Sequence, residues 1–175
     1  MRSSLIAGNW KMNGSLQSVI DLVEGIKVGD PGKAELAVCP PAVFLMKVGG
    51  MLAETGISLG AQNVCDQEAG AFTGEISAGM LKECGCRYAI VGHSERRALY
   101  LESDQLVAAR FSMALTAGII PILCVGETLD EREQGVTETV VARQIDAVLD
   151  LCGIAGIASA VIAYEPVWAI GTGKV

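Results

Sequence analysis

Aromatic side chains are scarce in this sequence, 5% of 175 residues, although apolar residues make up 51%. The interior therefore has to be filled by Ala, Val, Ile and Leu, which suits buried parallel strands covered by helices. Positive charge is also in deficit, with 13 Lys and Arg against 20 Asp and Glu and a formal net charge of −7. Such a balance favours solubility and argues against non-specific nucleic-acid binding, but local potential still permits an anionic substrate. The six cysteines, at 39, 65, 84, 86, 124 and 152, form no CxxC and show no paired metal-ligand spacing. They read as reduced, mostly buried thiols of a cytosolic protein. No apolar run reaches the ~18 residues of a membrane span. The N-terminus enters Leu5-Ile6-Ala7-Gly8 without the apolar core of a signal peptide, so neither membrane nor export is expected.

What the chain does have is alternation. Its length suits one domain. Short apolar runs at Leu5 to Trp10, Glu35 to Cys39, Ile57 to Gln62, Tyr88 to Gly92, Ile119 to Val125 and Ala160 to Glu165 read as buried strands. Between the first two, Leu16, Val19, Ile20, Val23 and Ile26 mark one apolar helix face behind a Ser15 cap. Leu106, Val107, Phe111 and Leu115 repeat that spacing before the fifth run, and Val140, Val141, Ile145, Val148 and Leu149 repeat it before the sixth. The 21 glycines exceed the ordinary share of about 7% and often close an apolar run, as numerous tight connections require. Consecutive βα units build either an open doubly wound sheet or a closed (β/α)8 barrel. Gly8 to Gly14 lacks the GxGxxG of a dinucleotide turn, which favours the barrel.

A barrel carries its chemistry at the C-terminal ends of its strands. There the sequence places Asn9 and Lys11 after the first run, His93 after the fourth and Glu165 at the end of the sixth. Each has an ordinary reading in isolation. His93, the single histidine, could simply close a strand. Glu165 could start a helix or join an ion pair, although Pro166 disfavours helix at Glu165. Lys11 could be a solvated amine. Their coincidence at strand ends points to proton transfer and charge stabilisation.

Asn9-Trp10-Lys11-Met12-Asn13, Gly92-His93-Ser94-Glu95-Arg96-Arg97 and Tyr164-Glu165-Pro166-Val167-Trp168-Ala169-Ile170-Gly171-Thr172-Gly173-Lys174 resemble the signature segments of the triosephosphate isomerase family, in order and at similar spacing. Gln62-Asn63-Val64, Gly70 to Ser77 and Cys124-Val125-Gly126-Glu127 are similar too. One departure is Leu101, where many members carry glycine; it puts only a nearby helix start in doubt. The resemblance implies an α/β fold, a (β/α)8 TIM barrel of which about six βα units are present, with residues 1–175 a single incomplete domain ending inside the loop after strand six. It implies interconversion of dihydroxyacetone phosphate and D-glyceraldehyde 3-phosphate through an enediolate, in glycolysis and gluconeogenesis in the cytoplasm, without cofactor or metal.

Carried over by similarity, Glu165 is the base, His93 the electrophile and Lys11 the charge-balancing cation, with Asn9, Lys11 and Gly171 binding substrate and Ser94 and Glu95 in support. A helical turn starting at Ser94 would disfavour imidazolium at His93. Pro166, Val167, Trp168, Ala169, Ile170, Gly171, Thr172, Gly173 and Lys174 are expected to form a lid, and Phe72 and Thr73 a homodimer contact received near Met12. The expected partners are a triose phosphate and a second copy, with no nucleic acid and no membrane. The alternative is a non-catalytic barrel fragment that associates with a complementary chain. Six of the usual eight strands also lead to the expectation that the 175 residues alone are a poor isomerase.

Overall fold

A computed structural model describes residues 4–29 and 32–169. Ile170, Gly171, Thr172, Gly173 and Lys174 of the expected lid lie outside the described residues. Six strands, β1 (Leu5–Asn9), β2 (Glu35–Cys39), β3 (Ile57–Ala61), β4 (Cys86–Val91), β5 (Ile120–Val125) and β6 (Val161–Tyr164), alternate with helices α1 (Leu16–Lys27), α2 (Leu45–Leu52), α3 (Ala78–Glu83), α4 (Ser94–Leu99), α5 (Asp104–Thr116), α6 (Leu129–Glu133) and α7 (Thr137–Ala158). All neighbouring strands pair in parallel, in the order β1-β2-β3-β4-β5-β6.

Strand order decides what periodicity left open. A doubly wound sheet reverses direction at a switch point. This sheet never reverses, so it is a curled part of a (β/α)8 barrel, and all its C-terminal strand ends lie on one rim.

Two apolar layers hold the sheet. The outer one packs Val38, Leu59, Ala61, Ala89, Val91, Leu123 and Val125 against helix residues including Val19, Val23, Leu81, Val107, Phe111 and Val148. A fully buried side chain such as Phe111 or Leu123 contributes about 1.5–3 kcal/mol relative to exposure. The inner layer consists of Ala37, Cys39, Tyr88, Ile90, Ile122 and Cys124. Gly60 on β3 leaves room for it, because a Cβ there would lie 2.5 Å from Cys39 Sγ. All six cysteines are free thiols. Burial pushes the Cys39 and Cys86 thiols up to about 12, so neither is a thiolate nucleophile at neutral pH.

α1 begins where the sequence marks it. Ser15 has extended backbone at φ −119° and accepts from Ser18 N–H, while Ser18 Oγ accepts from Ser15 N–H. Such a reciprocal cap is worth about 1 kcal/mol. Ser103 caps α5, and the buried face of that helix runs Val107, Ala108, Phe111 and Ala114 but also includes Arg110. No described helix is long and apolar enough to cross a membrane.

Candidate active site

Lys11 follows β1 in a left-handed conformation, φ 51°, that costs a non-glycine residue of order 1–2 kcal/mol. Both of its backbone groups are held. Its N–H donates to Asn9 Oδ1 at 3.0 Å, and its carbonyl accepts from Gln62 Nε2 at 2.9 Å. The same Gln62 amide reaches Cys39 O at 2.8 Å, tying the ends of β1, β2 and β3 together. So constrained, Lys11 Nζ lies 2.7 Å from Glu95 Oε1. The Lys11 hydrogen bond holds the Glu95 carboxyl below its ordinary value, against an opposing effect of burial.

His93 is itself the N-cap of α4, and its Nδ1 accepts the Glu95 N–H at 3.2 Å. A ring nitrogen that accepts carries no proton, so the neutral ring bears its hydrogen on Nε2. Nε2 faces Glu165 Oε1 at 3.5 Å, and the imidazole is only 7% exposed. Ser94, half-buried, is the first residue of α4. Arg97 straps that short helix down, donating to Gly92 O at 2.8 Å, Asp104 Oδ1 at 2.6 Å and Cys124 O at 3.3 Å.

Glu165 extends β6: its N–H donates to Val125 O at 2.8 Å. Its carboxylate is mostly buried, with Oε2 lacking a hydrogen-bond partner among the described residues. Gly126 makes this placement possible, since a Cβ there would lie 1.8 Å from Glu165 O. The Cys124 thiol is pushed up, first by burial and then by the Glu165 charge. Pro166 leads into a 3-10 turn at Val167–Ala169, whose Val167 N–H reaches Glu127 O at 3.2 Å.

The site lies between two cavities. One, of about 560 Å³, is lined by Asn9, Lys11, Gln62, His93 and Glu95. The other, of about 450 Å³, touches Ser94, Gly126, Glu165 and Val167. The fold thus brings Asn9, Lys11, His93, Ser94, Glu95 and Glu165 to one rim, a cation, a proton-bearing imidazole and a carboxylate suited to moving a carbon-bound proton. Residues 67–75 are exposed; Phe72 is 46% and Met12 95% accessible. That loop is closed at its base by Cys65 N–H to Ile76 O at 2.9 Å. Met12 and Glu75 line the same cavity as Lys11.

Two supporting residues carried no assigned role in the sequence reading. Gln62 positions Lys11, and Glu127, fully buried, accepts from Tyr164, Trp168 and Arg132. Both follow apolar strand runs, so extending the strand-end search to β3 and β5 finds them.

Comparison with known proteins gives a consistent result. The family model described as triosephosphate isomerase matches residues 4–175. Among similar proteins, the triosephosphate isomerase of Dechloromonas aromatica is 58% identical over 174 residues, covering 99% of this chain and 70% of that protein. Those of Thiobacillus denitrificans and Methylococcus capsulatus are 59% and 55% identical, again over 99% of this chain and 70% of theirs.

Proposed function

We propose, because this chain belongs to the triosephosphate isomerase family, that its rim cluster carries out the family's reaction with Glu165 as base and His93 as acid. The reaction interconverts dihydroxyacetone phosphate and D-glyceraldehyde 3-phosphate. Carbon–hydrogen bonds beside a carbonyl are weakly acidic, and the barrier falls when the carbonyl oxygen is stabilised as the proton leaves.

The Glu165 carboxylate takes the proton from the carbon beside the carbonyl. That bond's electron pair becomes the carbon–carbon double bond of an enediolate, and the carbonyl pair moves onto oxygen. His93 passes its Nε2 proton to that oxygen, with Lys11 balancing the negative charge that develops there. Return of the proton from Glu165 to the adjacent carbon completes the transfer, as the other oxygen gives its proton to His93 and becomes the carbonyl. The observation that carries the proposal is the backbone hydrogen bond into His93 Nδ1, which turns a proton-bearing Nε2 towards Glu165. That the electrophile in this family is a neutral histidine is a known pattern and is not new here.

Asn9 holds the Lys11 backbone, and Ser94 and Glu95 form the turn that orients His93. Pro166 to Lys174 acts as a lid that excludes water, with Gly171 supplying a backbone donor to the phosphate. Phe72 and Thr73 dock on a second copy beside Met12, a reading supported by their exposure in a loop next to the Lys11 cavity. Residues 1–175 belong to one (β/α)8 domain, and the enzyme works in the cytoplasm in glycolysis and gluconeogenesis. No observation favours a non-catalytic fragment.

The test is Glu165→Gln in the full-length protein. Turnover should fall about 100-fold or more while affinity for a phosphorylated substrate analogue is retained. Near-parental turnover would remove Glu165 from the mechanism.

A further inference from the structure

We propose that Arg110, outside the reacting cluster, is a positioning residue that keeps Lys11 and the His93–Glu95 turn in register. The inference rests on the functional reading given above. Arg110 is 6% exposed on the apolar face of α5, where Val107, Ala108, Phe111 and Ala114 are also buried. A buried ion of this kind is weak evidence for stability, because an apolar residue of similar volume often serves as well. What sets Arg110 apart is the geometry it imposes.

That geometry is a closed ring of contacts. Arg110 Nη1 donates to Asn63 Oδ1 at 2.7 Å and Val64 O at 2.8 Å. Asn63 adjoins Gln62, whose amide holds the left-handed Lys11 by its carbonyl. In the other direction, Arg110 Nη2 lies 3.7 Å from Glu102 Oε1, which accepts from Arg96 Nε at 2.6 Å. Arg96 belongs to α4, and its N–H donates to His93 O at 2.8 Å. The two arms meet where Lys11 pairs with Glu95. A fourth contact, Arg110 Nη1 to Glu75 Oε2 at 3.4 Å, connects the exposed loop to the same node. Only a forked, planar guanidinium serves so many acceptors at once.

Two variants of the full-length protein test this. Arg110→Lys keeps a charge beside Glu102 but loses the fork. Asn63→Ala weakens the Lys11 arm, leaving Arg110 only Val64 O there, without stranding a buried charge. Both should lower kcat/KM about 10- to 100-fold, the scale of a small misplacement at a reacting centre. Asn63→Ala should act mainly through KM.

Affinity for 2-phosphoglycolate, a carboxylate mimic of the enediolate, gives a readout specific to positioning. A Lys11→Met background should absorb most of the Arg110→Lys effect, because both act on one interaction. Kinetic constants within twofold of the parent in folded variants, or fully additive losses of affinity, overturn the inference. If Arg110→Lys does not fold, Asn63→Ala decides alone. A parent without isomerase activity would instead defeat the functional reading itself.

Discussion

The Trp168 indole N–H donates to Glu127 Oε1 at 3.0 Å, so the turn just after Glu165 is seated on a carboxylate with no solvent exposure. Tyr164, on the other side of Glu165, gives its hydroxyl to the same carboxylate at 2.9 Å. Arg132 completes the arrangement, 3.5 Å from Glu127 and with its guanidinium 4.4 Å from the indole centroid. Two anchors on one buried acid thus bracket the proposed base. Burial by itself pushes the Glu127 carboxyl up, but hydrogen bonds from Trp168, its own backbone, Tyr164 and Arg132 outweigh burial and hold it below its ordinary value.

A lowered folded-state pKa fixes the sign of a pH effect. The stabilisation is fully present above the unfolded glutamate value near pH ~4.3 and is lost as pH falls through the folded value. Urea unfolding of the parent should therefore weaken more steeply below about pH 4 than that of Glu127→Gln. Equal slopes for the two proteins would contradict the assignment.

Gly126→Ala should be damaging out of proportion to its size. Its Cβ would fall 1.8 Å from Glu165 O, so the backbone bearing the proposed base has to move. Overpacking of this kind costs about 1–3 kcal/mol, and displacement of a reacting group costs about 100-fold in rate. Thermal unfolding and steady-state kinetics would both register the change. A variant with parental kcat would show that the backbone yields without shifting the carboxylate.

His93 should exist as the tautomer protonated on Nε2. Its Nδ1 already accepts from Glu95 N–H at 3.2 Å, and imidazolium has no lone pair to keep that bond. Nitrogen NMR of the folded enzyme at neutral pH should show Nδ1 as the acceptor nitrogen. A proton on Nδ1 would reverse the proposed direction of donation.

Phe72→Asp tests the docking loop. Phe72 is an exposed aromatic in a loop whose fold is set by local turns, Phe72 N–H to Gly70 O and Glu75 N–H to Phe72 O, both at 3.0 Å. A charge there should weaken self-association at least tenfold without unfolding the protomer, because buried unpaired charge opposes docking. Sedimentation equilibrium would measure it. An unchanged mass distribution would remove the loop from the interface.

The local elements were readable because their causes are local. The Ser15 cap and the Val19, Val23 stripe specify α1, and Glu35–Cys39 is the second strand in both readings. The fourth strand shows the boundary of that legibility. Apolar pattern starts it at Tyr88, whereas pairing starts it at Cys86, opposite Leu59, and carries it past the exposed Arg87. A strand is defined by its neighbour's hydrogen bonds as well as by its own hydropathy.

The sequence by itself determined the βα alternation and the Ser15 cap of α1, and its strand-end residues led to the proposal for Lys11, His93 and Glu165. Tertiary structure alone decided the unreversed strand order, which sets those residues on one rim. It also decided the left-handed Lys11, because the amide that restrains it belongs to Gln62, 51 residues away. The buried Arg110 is likewise intelligible only through Asn63, Glu75 and Glu102. Such choices depend on groups distant in the chain satisfying one another's donors and acceptors away from water, and local periodicity contains no record of which groups will meet.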